Sequence, residues 1–241
     1  MADFLLVHGS CHGAWCWHRV IPALTALGYS ARAIDLPGPG RDAPPAAAVT
    51  LDHHARTICD ALDRPTIVVS HSMAGYPITA AAEREPTRIA ALVYLCAYAP
   101  RSGLSLADMR RAGPRQPLAP ALRVDASRTS FSFDPGQINA LFYHDCDAEA
   151  QSLAARHLTP EPILPQETPL ILTARSQSLP RHYIRCLDDR AIPPEYQGAM
   201  AHSVPAAHRS TLPSSHSPFF ACPQALAERL HAISRSLEAH T

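Results

Sequence analysis

The chain has 241 residues, 46% of them hydrophobic and 17% charged, a globular composition in a chain long enough to bury the core of one large domain. Its 21 basic and 21 acidic residues cancel and form no basic run, so a nucleic-acid or anionic-membrane surface has no electrostatic support and the partners expected are small molecules. Every basic residue is an arginine, which excludes Schiff-base lysines, a phosphate-loop lysine and a catalytic ammonium.

In chain order, the apolar run over 3–7 predicts a buried strand. It enters the small-residue loop His8-Gly9-Ser10-Cys11-His12-Gly13-Ala14-Trp15, whose backbone N–H groups are free to face a neighbouring loop. A helical pattern over 15–27 ends at Gly28, and a second strand over 29–36 is closed by Pro37-Gly38-Pro39-Gly40. Residues 51–62 are helical with Thr50 as N-cap. A β-branched run over 66–69 is the third strand, 74–85 a helix ending before Pro86, and 89–98 a near-continuously apolar strand of the kind covered on both faces. Strands alternating with helices predict a mostly parallel, doubly wound sheet.

Between the third strand and its helix lies Ser70-His71-Ser72-Met73-Ala74-Gly75. A serine placed there sits on a sharp strand-to-helix turn, its hydroxyl exposed and the next N–H free at a helix start. The turn leaves no room for large side chains two residues before or after the serine, where glycine is usual. Ser70 and Ala74 match by size instead.

From 100 to about 169 the pattern changes to prolines, arginines and short helical pieces (136–143, 148–157), with no convincing strand. Strands resume at 170–173 or 182–187, then at 207–212, and an amphipathic helix over 223–237 closes the chain. A helical insertion between two parts of one sheet is the economical arrangement.

A serine hydroxyl needs a base, and the base an orienting acid, here in the order Ser, Asp/Glu, His at the C-terminal ends of strands. Asp188 and Asp189 follow the strand over 182–187. His216 sits between the last strand and the terminal helix, flanked by Ser214, Ser215, Ser217 and Pro218. His202 and His208 are rivals that fall before or inside the predicted strand. The expected oxyanion donors are the backbone N–H groups of Ser10 and Met73.

The seven cysteines are odd in number and lack a C-x-x-C pair, and the N-terminus has no basic region or long apolar segment. Reduced thiols in a cytoplasm are expected. The arginine, alanine and proline bias is that of a GC-rich bacterial genome. His53-His54 and His8-x3-His12 present no ligand set on one helix face, so no metal is expected.

These residues resemble the α/β-hydrolase superfamily, and within it the plant methylesterase and hydroxynitrile lyase group with its bacterial, pyrethroid-hydrolase-like esterase relatives. The likeness rests on Val7 to Trp17, the elbow around Ser72, Cys186-Leu187-Asp188-Asp189-Arg190-Ala191-Ile192-Pro193 and Ser215-His216-Ser217-Pro218. It implies an α/β-hydrolase core over 1–99 and 181–241 and a small helical cap over 100–180 that roofs the pocket. The family acid precedes an Ile-Pro pair by three residues, which selects Asp189 over Asp188. The implied activity is a serine carboxylesterase acting through an acyl-enzyme on a small to medium, apolar ester. It uses Ser72, His216 and Asp189, with Ser10 and Met73 N–H on the oxyanion and no cofactor. Lyase members carry a lysine after the catalytic histidine and a threonine in the first loop, where this chain has Ser217 and Gly9. A carbon–carbon lyase and a non-catalytic small-molecule receptor are the alternatives. Self-association as a homodimer is left open. Phe131, Phe133, Phe142 and Tyr143 are expected either to line the pocket or to pack the cap.

Overall fold

A computed structural model of the chain describes residues 3–38 and 44–239. β1 (Asp3–Val7), β2 (Ser30–Ile34), β3 (Thr66–His71) and β4 (Ile89–Leu95) come first, linked through helices Val20–Ala26, Leu51–Asp60 and Gly75–Arg84. The chain then leaves the sheet and forms β5 (Leu122–Val124), β6 (Ser130–Phe133) and β7 (Glu161–Pro162). It returns as β8 (Arg181–Cys186) and β9 (Arg209–Leu212) before the helix Pro223–Glu238. The main sheet has the order β2-β1-β3-β4-β8-β9, with every adjacent pair parallel.

Alternation along the strands builds the core on both faces of this sheet. Phe4, Leu6, Ile67, Val69, Val93 and Ile184 join one buried cluster. Their chain neighbours Leu5, Val7, Val68, Leu92, Tyr94 and Tyr183 join another. A period of two places successive side chains on opposite sides, and helices cover both sides, which explains the unbroken apolar runs. Helix Leu51–Asp60 starts as its sequence predicts: Thr50 Oγ1 accepts the His53 N–H at 3.1 Å, and His53 Nδ1 accepts the Thr50 N–H at 3.3 Å.

Several boundaries move. The helix expected over 15–27 is a 3₁₀ turn, Ala14–Trp17, followed by Val20–Ala26. Of the two alternatives after the insertion, only Arg181–Cys186 is a strand; Thr173 instead caps helix Ala174–Gln177 by accepting the Arg175 N–H at 3.1 Å. Pro39 and Gly40 of the expected turn lie outside the described residues.

The expectation of no strand between 100 and 169 needs correction, because β5, β6 and β7 form an antiparallel sheet there. The β5–β6 hairpin turns on Asp125, whose Oδ1 accepts the N–H groups of Thr129 and Ser130 at 2.8 Å each. Arg128 supplies the left-handed residue at φ 57°. Hairpins usually announce themselves by glycine or asparagine at that position, and this one has neither.

β1 connects to β2 on one side, whereas β3 lies on its other side. The order reverses there, leaving a crevice over the C-terminal ends of β1 and β3 in the usual position for a ligand. Val7 pairs in register with Ser70, so the loop after β1 and the turn after β3 face one another across that crevice.

Candidate active site

β3 ends in a strained turn. Ser72 holds φ at 57°, a conformation that L-residues seldom adopt, and the chain passes through Ser72–Ala74 into helix Gly75–Arg84. The Ser72 carbonyl accepts the Tyr98 N–H at 3.0 Å, clamping the turn to the end of β4. Ser70 fits in place of glycine because its hydroxyl donates to the Val93 carbonyl at 3.0 Å on the neighbouring strand. The close approach falls at Gly75, where a Cβ would lie 2.0 Å from the Tyr98 carbonyl oxygen. Met73, the second residue of the short helical turn Ser72–Ala74, has an N–H with no acceptor in a preceding turn.

The loop after β1 faces this turn. The His12 N–H donates to the Gly9 carbonyl at 3.2 Å, closing a turn in which Cys11 takes φ 64°. The turn's own hydrogen bond leaves the N–H of Ser10 unused. Glu161 Oε2 accepts the Cys11 N–H at 2.9 Å, and Gln166 donates to the Ser10 hydroxyl at 2.9 Å. His12 is pinned between the Ser10 carbonyl (2.8 Å) and the Tyr143 hydroxyl (2.6 Å). Burial lowers His12 to about 3 and raises Glu161 to about 8, so near neutrality the imidazole is uncharged. The loop therefore meets the site without a fixed cation.

Beyond β8, Asp189 is fully engaged. Its Oδ1 accepts the N–H groups of Ala191 (2.7 Å) and Ile192 (2.9 Å), and its Oδ2 accepts Gln197 Nε2 and His216 Nδ1, each at 2.7 Å. The His216 and Asp189 side chains are 2% and 0% exposed. Four donors thus surround one buried carboxylate and fix its orientation. Asp188 is exposed, with its N–H on the Ser214 carbonyl at 3.0 Å. The rival histidines lie elsewhere: His202 is exposed and bonded to the Gly198 carbonyl at 2.7 Å, and His208 stacks on His182 at 4.3 Å.

Ser72, Met73, Ser10 and His216 line one narrow cavity of about 30 Å³. Phe131, Phe133 and Phe142 belong to its wall, whereas Tyr143 is buried and holds His12. The four aromatics thus split between lining and packing. Gly9 also bounds the chemistry, since a Cβ there would lie 2.6 Å from His71 Nδ1 and 2.9 Å from Ser72 Cβ. Ser217 is buried at the position after His216.

Three contributors escape the sequence analysis. His71 donates through Nε2 to the His216 carbonyl at 2.8 Å; burial depresses its pKa well below the usual range, and it braces the His216 backbone as a neutral ring. Gln197 accepts the Cys186 N–H at 3.0 Å while donating to Asp189. Glu161 anchors the first loop from a distant strand. His71 is adjacent to Ser72 in sequence and could have been suspected from the elbow itself. The other two come from segments with no local signature. His71, Cys96 and His216 each bring a potential ligand atom within 4.8 Å of the others. However, burial holds the Cys96 thiol protonated, Asp189 occupies His216 Nδ1, and the His216 carbonyl takes His71 Nε2, so the trio is built as a hydrogen-bonded core. No disulfide joins the seven cysteines, six of which are buried. Among the described residues no helix is long and apolar enough to cross a membrane.

The chain is similar to known proteins. A model of the alpha/beta hydrolase family matches residues 4–229. A pyrethroid hydrolase of Sphingobium wenxiniae is 30% identical over 249 residues, covering 95% of this chain and 86% of that protein. Methylesterase 17 of Arabidopsis thaliana is 30% identical over 239 residues, covering 91% of this chain and 87% of its own. The crystal structure of a pyrethroid hydrolase from Sphingobium faniae matches with a TM-score of 0.87 at 27% identity, covering 99% of this chain and 98% of that one.

Proposed function

The chain belongs to the alpha/beta hydrolase family, and from that premise we propose that it is a serine carboxylesterase. The observation that carries this reading is the buried His216 Nδ1–Asp189 Oδ2 contact of 2.7 Å, which opens onto the same cavity as Ser72 on its strained turn. Asp189 fixes the tautomer in which Nδ1 bears the proton, leaving Nε2 free as the base. His216 takes the Ser72 proton as Oγ attacks the ester carbonyl, and returns it to the departing alcohol. The N–H groups of Ser10 and Met73 stabilise the oxyanion. Water then repeats the sequence on the acyl-enzyme and releases the acid. No cofactor enters these steps. The esterase relatives support the reading, and the phenylalanine wall suits an apolar acyl or alcohol group. We place the roof of the pocket in residues 100–180, the approximate cap boundaries.

A lyase reading lacks its groups. Gly9 has no hydroxyl and no space for one, Ser217 carries no charge, and the chain has no lysine. The test is labelling by a fluorophosphonate together with nitrophenyl acetate turnover. Both should vanish in Ser72→Ala, with activity falling by about 10⁴-fold or more, and mandelonitrile should release cyanide no faster than background. Cyanide release dependent on Ser72, without ester turnover, would establish the lyase instead. Ligand binding without labelling or turnover would establish a receptor.

A further inference from the structure

The cavity over Ser72 adjoins a second, larger one of about 200 Å³, and Tyr98, Arg110 and Leu118 line both. Arg111 and Arg115 also line the second cavity, but each has a partner. Arg111 donates to Asp108 at 3.0 Å, and Arg115 forms a two-pronged pair with Glu195 at 2.8 and 3.0 Å. Arg110, on the wall common to both, meets no carboxylate among the described residues. Its position is fixed from below. Helix Leu106–Arg111 opens with a reciprocal cap in which Ser105 Oγ accepts the Asp108 N–H at 3.1 Å and Asp108 accepts the Ser105 N–H at 3.0 Å. Leu106 and Met109 anchor the helix in the core. Burial pushes the Tyr98 hydroxyl up, and the Arg110 charge opposes that shift.

An arginine stays charged under all ordinary conditions and presents a planar fork matched to a carboxylate. Half-buried on the wall it shares with Leu118 and Tyr98, and meeting no counter-charge among the described residues, Arg110 has a fork available for a bound anion. The other two arginines of the second cavity are already paired with Asp108 and Glu195. We propose that the two cavities form one substrate site in which Arg110 binds a free carboxylate that the substrate carries besides its scissile ester. The substrate class is then a half-ester of a dicarboxylic acid, or an ester whose alcohol part bears a carboxylate. This rests on the esterase reading above, with the ester at Ser72 and the carboxylate at the far side of the shared wall.

Two matched pairs of probes test it: methyl hexanoate against monomethyl adipate for the acyl side, and phenyl butyrate against 4-butanoyloxybenzoate for the alcohol side. The protein should prefer the charged member of one pair, and that pair tells which part carries the anion. Arg110→Gln, which keeps length and polarity but not charge, should lower the charged-to-neutral kcat/KM ratio of that pair by about tenfold or more. Arg110→Glu should lower it further, and added salt should shrink the preference of the unmodified protein. Hydrolysis of the neutral esters with no charged preference, or with a ratio that Arg110→Gln leaves unmoved, overturns the proposal while leaving the esterase reading standing. Failure to hydrolyse any of the four, with no fluorophosphonate labelling of Ser72, takes both down.

Discussion

Adjacent aspartates in the same loop have opposite surroundings. Asp189 accepts four hydrogen bonds in a buried setting, while the side chain of Asp188 points to solvent. Asp189→Asn would replace one acceptor oxygen with an amide that faces donors, so either His216 takes the wrong tautomer or a buried N–H is left unpaired. Activity should fall by about 10⁴-fold, whereas Asp188→Asn should stay within a few-fold of the unmodified protein. Equal kcat/KM losses in the two variants would refute the assignment. These residues also mark what a sequence can reveal. Ser72 and His216 are legible because each sits at a strand-to-helix junction flanked by small residues. Asp189 is separable from Asp188 only by the spacing to Ile192-Pro193. Gln197 is illegible because nothing local marks a helical glutamine that reaches back 8 and 11 residues to Asp189 and Cys186, and Glu161 because its contact with Cys11 bridges 150 residues.

The strand, turn and helix from Thr66 to Arg84 act as one element, and its glycine requirement is displaced by one residue from the expected pattern. Ala74 is helical at φ −62° and tolerates its methyl group, but a Cβ at Gly75 would strike the Tyr98 carbonyl at 2.0 Å. Gly75→Ala should therefore cost about 3 kcal/mol or more through overpacking against backbone. Ala74→Gly should cost only about 1 kcal/mol from added chain entropy. Urea unfolding of both variants checks this, and a Gly75→Ala protein as stable as the parent would mean that the turn is not pinned to β4. The same contrast explains which elements were foreseeable. The central strands β1, β3 and β4 of the main sheet are covered on both faces and read as apolar runs, so their order of appearance is legible. β5, β6 and β7 have two to four residues each and are only partly covered. Their pairing depends on an Asp125 turn that no glycine announces, which leaves periodicity nothing to detect.

At the scale of the whole molecule, buried titratable groups pull stability in two directions as pH changes. Burial lowers His12 to about 3 and His54 and His182 to about 4, and His8 and His71 shift the same way. Between those values and the ordinary 6.5, the unfolded chain binds protons that the folded one refuses, so stability rises with pH through that interval. Glu161 does the reverse. Raised from 4.5 to about 8, it keeps a proton in the folded state that the unfolded chain releases, so its contribution is lost as pH climbs from 4.5 through 8. Below 6.5 the several histidines outweigh one glutamate; from there to about pH 8, before the raised buried thiols begin to add their own loss, the Glu161 slope dominates at about 1.4 kcal/mol per pH unit. Stability should therefore peak near pH 6.5 and fall by about 2 kcal/mol by pH 8. Glu161→Gln should flatten that alkaline decline and leave the acid limb in place, because the amide oxygen still accepts the Cys11 N–H while the titration is gone. Urea unfolding of both proteins from about pH 4 to about pH 8 measures it, below the range in which the thiols of the unfolded chain ionise. An alkaline decline identical in the two would show that Glu161 ionises outside this window, and the loop carrying Ser10 would then be held by a charged carboxylate at neutral pH.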